Sequence, residues 1–206
     1  MGPPGIMQPL KTLRPFWSYY GSKWLLAPHY PVPTHDMIIE PFAGSAGYAL
    51  RHYQRKVILV EKYPVVAEIW RYLIAVPSEE ILRLPLIEHI DKLPNWVPEA
   101  ARHLVGMNFN YGCARPHNML SSGLRQPKKL GYAKGWTEAM RSRIAAQVPH
   151  IRHWKIVEGD YQMAPNVPAT WFIDPPYING CDGGYVHTAR DLDFKQLSAW
   201  CRGRRG

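Results

Sequence analysis

The sequence is poor in several features that define common protein classes. Its 206 residues include three cysteines, Cys113, Cys181 and Cys201, with no Cys-x-x-Cys spacing. That excludes a disulfide framework and a cysteine-based zinc site, and it fits a reducing cytosol. No apolar run approaches the roughly 20 residues that span a bilayer. Residues 1–10 carry Pro3, Pro4 and Pro9 and no apolar signal core, so secretion is not indicated. There is no Gly-x-Gly-x-x-Gly, which speaks against an ordinary nicotinamide enzyme, and no Gly-Lys-Ser/Thr, which speaks against a phosphate-cradling P-loop. His103, His117, His150 and His153 lack ligand spacing with carboxylates or cysteines, so no metal site is expected. Acidic residues are also short, 16 against 25 Lys and Arg, for a formal net charge of +9.

What is present is apolar, aromatic and locally basic. Hydrophobic residues make up 46% and aromatics 12%, enough for a folded core and too much for wholesale disorder. The charge excess is confined. Residues 101–155 hold ten Lys and Arg against one acid, Glu138, and the rest of the chain is neutral. A cationic stretch of this kind points to a polyanionic partner.

The chain alternates short apolar runs with helical patterns, the signature of a parallel α/β sheet. Buried strands are expected over 37–40, 57–60, 155–158 and 171–173. Helices are expected over 24–29, 48–54, 65–75, 79–84, 101–108, 138–147 and 193–202. Residues 1–15 read as a Pro-rich flexible arm, and 110–135 as a long loop with no sustained periodicity. Trp136, Trp154, Trp171 and Trp200 are expected in the core. Arg202-Gly203-Arg204-Arg205-Gly206 reads as a solvated tail, and Cys181 lacks a basic partner that would make it a nucleophile.

Three motifs carry chemistry, each at the carboxyl end of an expected strand, where ligands bind in open α/β sheets. Asp174-Pro175-Pro176-Tyr177 follows the apolar run 171–173. Two prolines have no N–H and cannot continue a ladder, so the adjoining carbonyls are left to accept from a ligand. With the Asp174 carboxylate and the Tyr177 ring they suit a planar base bearing an exocyclic amine. Glu40-Pro41-Phe42-Ala43-Gly44-Ser45-Ala46-Gly47 is a tight turn whose glycines let backbone approach a ligand closely. Glu61 ends the second strand, where an acid can bind both ribose hydroxyls of a nucleoside-containing cofactor.

In this order the three motifs resemble those of the DNA adenine-N6 methyltransferases, in the Dam-like group that places the cofactor motif before the catalytic one. The resemblance runs from about residue 17 to the end of the chain. Tyr19-Tyr20-Gly21-Ser22-Lys23 is similar to the family's aromatic–x–Gly–Gly–Lys motif, which implies that Tyr19 and Lys23 touch S-adenosylmethionine. Pro41-Phe42-Ala43-Gly44-Ser45-Ala46 is similar to Pro-Phe-x-Gly-x-Gly, with Ala46 where the last Gly is usual and Gly47 just after. By the same resemblance Pro41, Phe42, Gly44, Glu61 and Asp160 bind the cofactor, Asp160 near its adenine. Asp174, Pro175, Pro176 and Tyr177 form the catalytic motif, with Asp174 also beside the cofactor. Phe109-Asn110-Tyr111-Gly112-Cys113-Ala114-Arg115 resembles the family's Phe-Asn-Gly-x-x-Arg element with one residue inserted.

The resemblance implies a Rossmann-like, S-adenosylmethionine-dependent methyltransferase sheet over 16–75 and 150–206, with a basic target-recognition region inserted at 76–149. It implies a cytoplasmic enzyme of a bacterium or phage, of the restriction-modification kind, acting on double-stranded DNA with the target base flipped out. No metal is required. Arg115, Asn118, Arg125, Lys128 and Lys129 are the candidate DNA contacts. The family sheet has further strands after the catalytic motif, and here only the helix over 193–202 follows. That predicts an exposed apolar edge on the fourth strand, and a fragment or a degenerate reading frame. Two rival readings stand beside this one. One is a nucleic-acid-binding remnant with weak activity or none. The other is a methyltransferase acting on cytosine N4, on RNA or on a protein amide, although Asp174 rather than Asn favours a nucleobase.

Overall fold

A computed structural model of the chain describes residues 12–125, 135–177 and 186–206. The expectations placed on residues 1–11, Lys128, Lys129, Lys134 and Cys181 lie outside the described residues. No helix among the described residues is long and apolar enough to cross a membrane.

The fold is α/β with four parallel strands: β1 (Met37–Glu40), β2 (Lys56–Glu61), β3 (Lys155–Glu158) and β4 (Thr170–Trp171), in the order β3-β2-β1-β4. That order is compatible with a Rossmann-like sheet. Successive residues face opposite layers, as the two-residue period of a strand requires. Ile38, Val57 and Leu59 join the large core under one face, while Ile39 and Val60 pack on Ala164, Ala169 and Trp200 on the other. Burial on both faces is why β1 and β2 read as continuous apolar runs. The strands expected to be buried over 155–158 and 171–173 are only half-buried, because β3 and β4 stand at the two edges of the sheet.

The helices are α1 (Pro64–Ala75), α2 (Ser78–Arg83), α3 (Glu99–Met107), α4 (Ser122–Arg125), α5 (Glu138–Gln147) and α6 (Phe194–Arg202). The stops and caps are legible. Thr137 caps α5 by accepting from the Met140 N–H, and the Asp193 carboxylate caps α6 by accepting from Lys195 and Gln196. Val76, Leu93, Leu104, Phe109, Trp136 and Ile144 share the large core with Ile38 and Leu59, so residues 76–149 and the sheet are packed around one interior.

Several expectations need correction. The helix expected over 48–54 is only a 3-10 turn, Ala49–His52, because β2 begins at Lys56 and leaves no room for further turns. Likewise, 24–29 yields a 3-10 turn over Ala27–His29. The long loop contains the four-residue helix α4. The fourth strand is two residues long, although the Phe172 N–H still donates to the Ile39 carbonyl at 2.9 Å before the prolines end the ladder. Residues 12–15 are not a free arm. Leu13 is 0% exposed, and Gln147 pairs with both the N–H and the carbonyl of Arg14. The tail is exposed as expected at Arg202, Gly203, Arg205 and Gly206, but its backbone is tethered. The Arg205 carbonyl accepts from the Ala169 N–H at 3.1 Å and from Trp171 Nε1 at 3.0 Å, so 203–206 lie along the outer edge of β4. The guanidinium of Arg204 stands 4.3 Å from the Trp200 ring centre. The apolar edge expected on β4 is therefore partly covered by the chain itself. Trp136 and Trp154 are buried as expected, whereas Trp171 and Trp200 are half-buried at this edge.

Candidate active site

The strand order creates a switch point. From β1 the chain goes to β2 and β3 on one side, and then returns to β4 on the other. The turns leaving β1 and β4 diverge there, and crevices for ligands open at such points, beyond the carboxyl ends of the strands. In register, Glu40 lies opposite Leu59, Glu61 opposite Glu158, and Ile39 opposite Trp171. The acids that end β1 and β2, and those that follow β3 and β4, thus come to one edge of the sheet.

One pocket gathers them. Its walls include Tyr19, Lys23, Glu40, Pro41, Phe42, Gly44, Glu61, Asp160, Asp174, Pro175, Pro176 and Tyr177. Every residue expected to bind cofactor or to catalyse therefore lines the same cavity. Arg115 and Asn118 are not among the residues that line it. Arg115 and Asn118 are exposed on the loop after α3, and Arg125 ends α4.

The turn after β1 is held at each point. The Gly44 N–H donates to Glu61 Oε2 at 2.8 Å and the Gly44 carbonyl accepts from Trp70 Nε1 at 2.8 Å. Gly44 has φ +45°, and a Cβ there would stand 3.0 Å from the Tyr19 ring. Ala46 has φ +50° and is the one non-glycine with positive φ among the described residues. The position where the resembled motif has its last Gly does take the left-handed conformation, and here Ala46 bears the cost of about 1–2 kcal/mol. Gly47 serves a different need: a Cβ on it would stand 2.5 Å from the Trp24 backbone nitrogen. The turn is thereby pressed against 22–24, and Ser45 Oγ donates to Ser22 Oγ at 2.8 Å across the contact.

Each acid has its own surroundings. Glu61 accepts from the N–H groups of Gly44 and Tyr63, while burial pushes its carboxyl upward. The Asp160 carboxylate caps the 3-10 turn Tyr161–Met163 and lies 3.3 Å from Lys62 Nζ. Phe42 stacks on Tyr161 at 5.4 Å, giving the pocket an aromatic wall. Asp174 Oδ2 lies 2.6 Å from Lys23 Nζ, and Oδ1 accepts from the Tyr177 hydroxyl at 3.2 Å.

Two parts of the site were not assigned from sequence. Glu40 stands in the quoted motif without a role, yet it is 2% exposed and on the pocket wall. Its Oε1 accepts from the Ala49 N–H at 2.6 Å. Burial, reinforced by the negative charge of Asp174 and opposed by the Ala49 N–H, raises its pKa to about 8. The second part is the stretch 186–192, where His187, Thr188 and Asp191 complete the wall. Thr188 and Asp191 form a capping box, a pattern of Thr and an acid three residues later that is readable in the sequence.

No protein-family model and no curated protein matches this chain. The site is therefore read from its own chemistry. Among the described residues there is no group of three or more His, Cys, Asp or Glu that could hold a metal ion. The donor set suits instead an extended ligand with a hydroxyl-bearing sugar at Glu61, a flat ring beside Phe42, and a cationic portion near Glu40 and Asp174.

The element 109–115 is tied to this pocket. The Cys113 N–H donates to the Ser18 carbonyl at 3.2 Å, the Tyr20 N–H to the Cys113 carbonyl at 3.3 Å, and the Gly112 N–H to Ser18 Oγ at 3.0 Å. Arg115 thus follows directly from a short ribbon paired with the pocket's aromatic lip. Burial pushes the Cys113 thiol up to about 11, so it is no nucleophile.

Proposed function

We propose that this chain is a Rossmann-like, S-adenosylmethionine-dependent methyltransferase acting on adenine N6 in double-stranded DNA. The observation that carries the reading is the convergence at the switch point. Asp174-Pro175-Pro176-Tyr177 leaves β4 beside the glycine turn leaving β1, with Glu61 at the end of β2, all on one cavity. Residues 76–149 supply the target-recognition surface, and a DNA substrate goes with a cytoplasmic location.

S-adenosylmethionine held there would supply a methyl group on a sulfonium, with S-adenosylhomocysteine as the leaving group and the proton of the methylated amine released to solvent, so that no covalent enzyme intermediate is needed. Glu61 accepts from the ribose hydroxyls, and Phe42 with Asp160 bounds the adenine. Tyr19 and the Gly44 turn hold the methionine portion, with the buried carboxyl of Glu40 beneath it. A cation placed there favours the ionised form of Glu40.

An aromatic amine is a weak nucleophile because its lone pair is delocalised into the ring. An Asp174 carboxylate oxygen and the Pro175 carbonyl accept its two N–H bonds, which favours a more tetrahedral nitrogen. They also stabilise the positive charge that develops as the methyl arrives. The Pro175-Pro176 pair keeps this stretch extended, and the Tyr177 ring stacks on the base. The amine is out of reach inside a duplex, so the base flips out at a cost of a few kcal/mol. Arg115, two residues beyond the Cys113 that pairs with Tyr20, and Asn118 contact the DNA, with Arg125, Lys128 and Lys129 on phosphates.

Transfer of labelled methyl from S-adenosylmethionine to DNA tests the reading. The chain is expected to label DNA and the Asp174→Ala variant to lose labelling while still binding cofactor. Equal labelling by the variant would remove Asp174 from its role. Cofactor and DNA binding with no transfer by the intact chain would favour the inactive remnant.

A further inference from the structure

Lys23, which the resemblance assigns to the cofactor, reaches the catalytic motif inside the same pocket. Its Nζ lies 2.6 Å from Asp174 Oδ2, donates to the Gly21 carbonyl at 2.7 Å, and stands 4.8 Å from the centre of the Tyr177 ring. The pair is sheltered, with side chains 11% and 25% exposed. Burial works against the ammonium, but its contacts with Asp174 and Tyr177 outweigh this and hold its pKa above the ordinary value. The carboxylate and the aromatic face that Lys23 engages are the two groups assigned above to the amine and the ring of the acceptor base. With Nζ 2.6 Å from Oδ2 and 4.8 Å from the ring centre, the ammonium stands in the space between carboxylate and ring that a stacked base with its amine would fill.

We propose that Lys23 is a displaceable occupant of the acceptor-amine subsite, so that acceptor binding exchanges one N–H donor on Asp174 for another. This deepens the methyltransferase reading and rests on it. Before the base arrives, Lys23 keeps the Asp174 carboxylate paired and aimed into the pocket. When the amine takes its place, the ammonium retains the Gly21 carbonyl. The exchange makes Lys23 a specificity-determining residue. A base with an exocyclic amine and a stacking face replaces both contacts that Lys23 gives up. A base without the amine offers Asp174 no donor and leaves Lys23 where it is. The ion pair also lowers affinity for the correct base, because its charge-assisted hydrogen bond must be broken first.

The test compares two short single strands that differ at one base, deoxyadenosine or purine deoxyriboside, which lacks the amine. Affinities are read by fluorescence anisotropy with S-adenosylhomocysteine present. The ratio of the two affinities isolates the amine, because phosphate attraction cancels. Lys23→Met is expected to raise the preference for the adenine strand roughly tenfold, the scale of a charge-assisted bond. Lys23→Arg, which keeps a charged donor, is expected to restore a preference near that of the intact chain. Lys23→Gln, a neutral donor, serves if Lys23→Met does not fold, and is expected to fall between. An unchanged or reduced preference in Lys23→Met overturns the proposal. So does an unchanged preference joined to weaker S-adenosylhomocysteine binding, which would make Lys23 a cofactor ligand. If the intact chain binds S-adenosylhomocysteine but ignores the amine, the exchange fails while the cofactor site stands. If it binds neither, the underlying reading falls and the exchange with it.

Discussion

The carboxyl edge of the sheet and the basic stretch 101–155 use charge in opposite ways. At the sheet edge, Glu40, Glu61, Asp160 and Asp174 come from separate strand ends and line one cavity. Along 101–155, four of the cations whose side chains are described hold the protein's own chain. Arg102 donates to the carbonyls of Leu93, Pro94 and Val97. Arg141 donates to the Leu84 carbonyl at 2.6 Å, and Arg143 to the Pro15 carbonyl at 3.1 Å. Arg152 donates to the carbonyls of Ile74 and Val76. Burial pushes Arg143 down to about 10, as expected of a cation enlisted as a clamp. A charge count therefore overstates what the stretch offers a polyanion. An acid placed by a strand end is worth more as a functional signal than a cation in a crowd.

The sharpest way to break the ordered edge is Gly47→Ala. The new Cβ would stand 2.5 Å from the Trp24 nitrogen, which is backbone and cannot turn aside. A loss of about 3 kcal/mol in urea unfolding is expected, because the turn and 22–24 must separate. A loss near zero would show that the two motifs are not pressed together.

Glu40 comes next, through pH. In the fold it holds its proton to about pH 8, whereas its ordinary value is 4.5. Between those values the unfolded chain has released a proton that the folded chain keeps. Stability therefore falls as pH rises from 4.5 to 8 and levels off above, by an amount on the order of a few kcal/mol. Glu40→Gln is expected to flatten that slope in unfolding curves taken across this range. An identical slope in the variant would contradict the buried, proton-holding carboxyl.

The basic stretch is tested by pairing two arginines. Arg143→Ala leaves the Pro15 carbonyl without its donor and is expected to cost roughly 1–3 kcal/mol of stability. Arg115→Ala is expected to leave stability within about 0.5 kcal/mol. It should weaken DNA binding across sequences and lower the salt slope by about 1. Equal stability losses in the two variants would erase the division between clamp and contact. The smallest expected effect is at Ala46, where glycine relieves the left-handed strain. Ala46→Gly should stabilise the chain by up to about 1 kcal/mol in the same assay.

Much of the fold was legible because parallel strands buried on both faces have a simple signature. The runs ending at Glu40 and Glu61 became the buried strands β1 and β2, each closed by its acid at the sheet's carboxyl end, and the run ending at Glu158 became the half-buried edge strand β3. The expected cofactor and catalytic residues converged because their spacing was tied to those ends. Less was legible where tertiary contacts decide. Nothing local says that Leu13 enters the core or that Gln147 grips Arg14. The length available between the first turn and β2 reduced a helix to a 3-10 turn. Glu40 was visible as a residue but not as a buried acid, because its burial depends on the turn folding over it. The clamping arginines were counted as free charge because their carbonyl partners lie up to 128 residues away.

The central claim is adenine-N6 methylation directed by Asp174. Its most direct measurement is mass analysis of nucleosides from duplex DNA incubated with the chain and S-adenosylmethionine. N6-methyldeoxyadenosine is expected with the intact chain and absent with Asp174→Ala. Methylation found instead on cytosine N4, or N6-methyldeoxyadenosine made equally by both, would contradict the account.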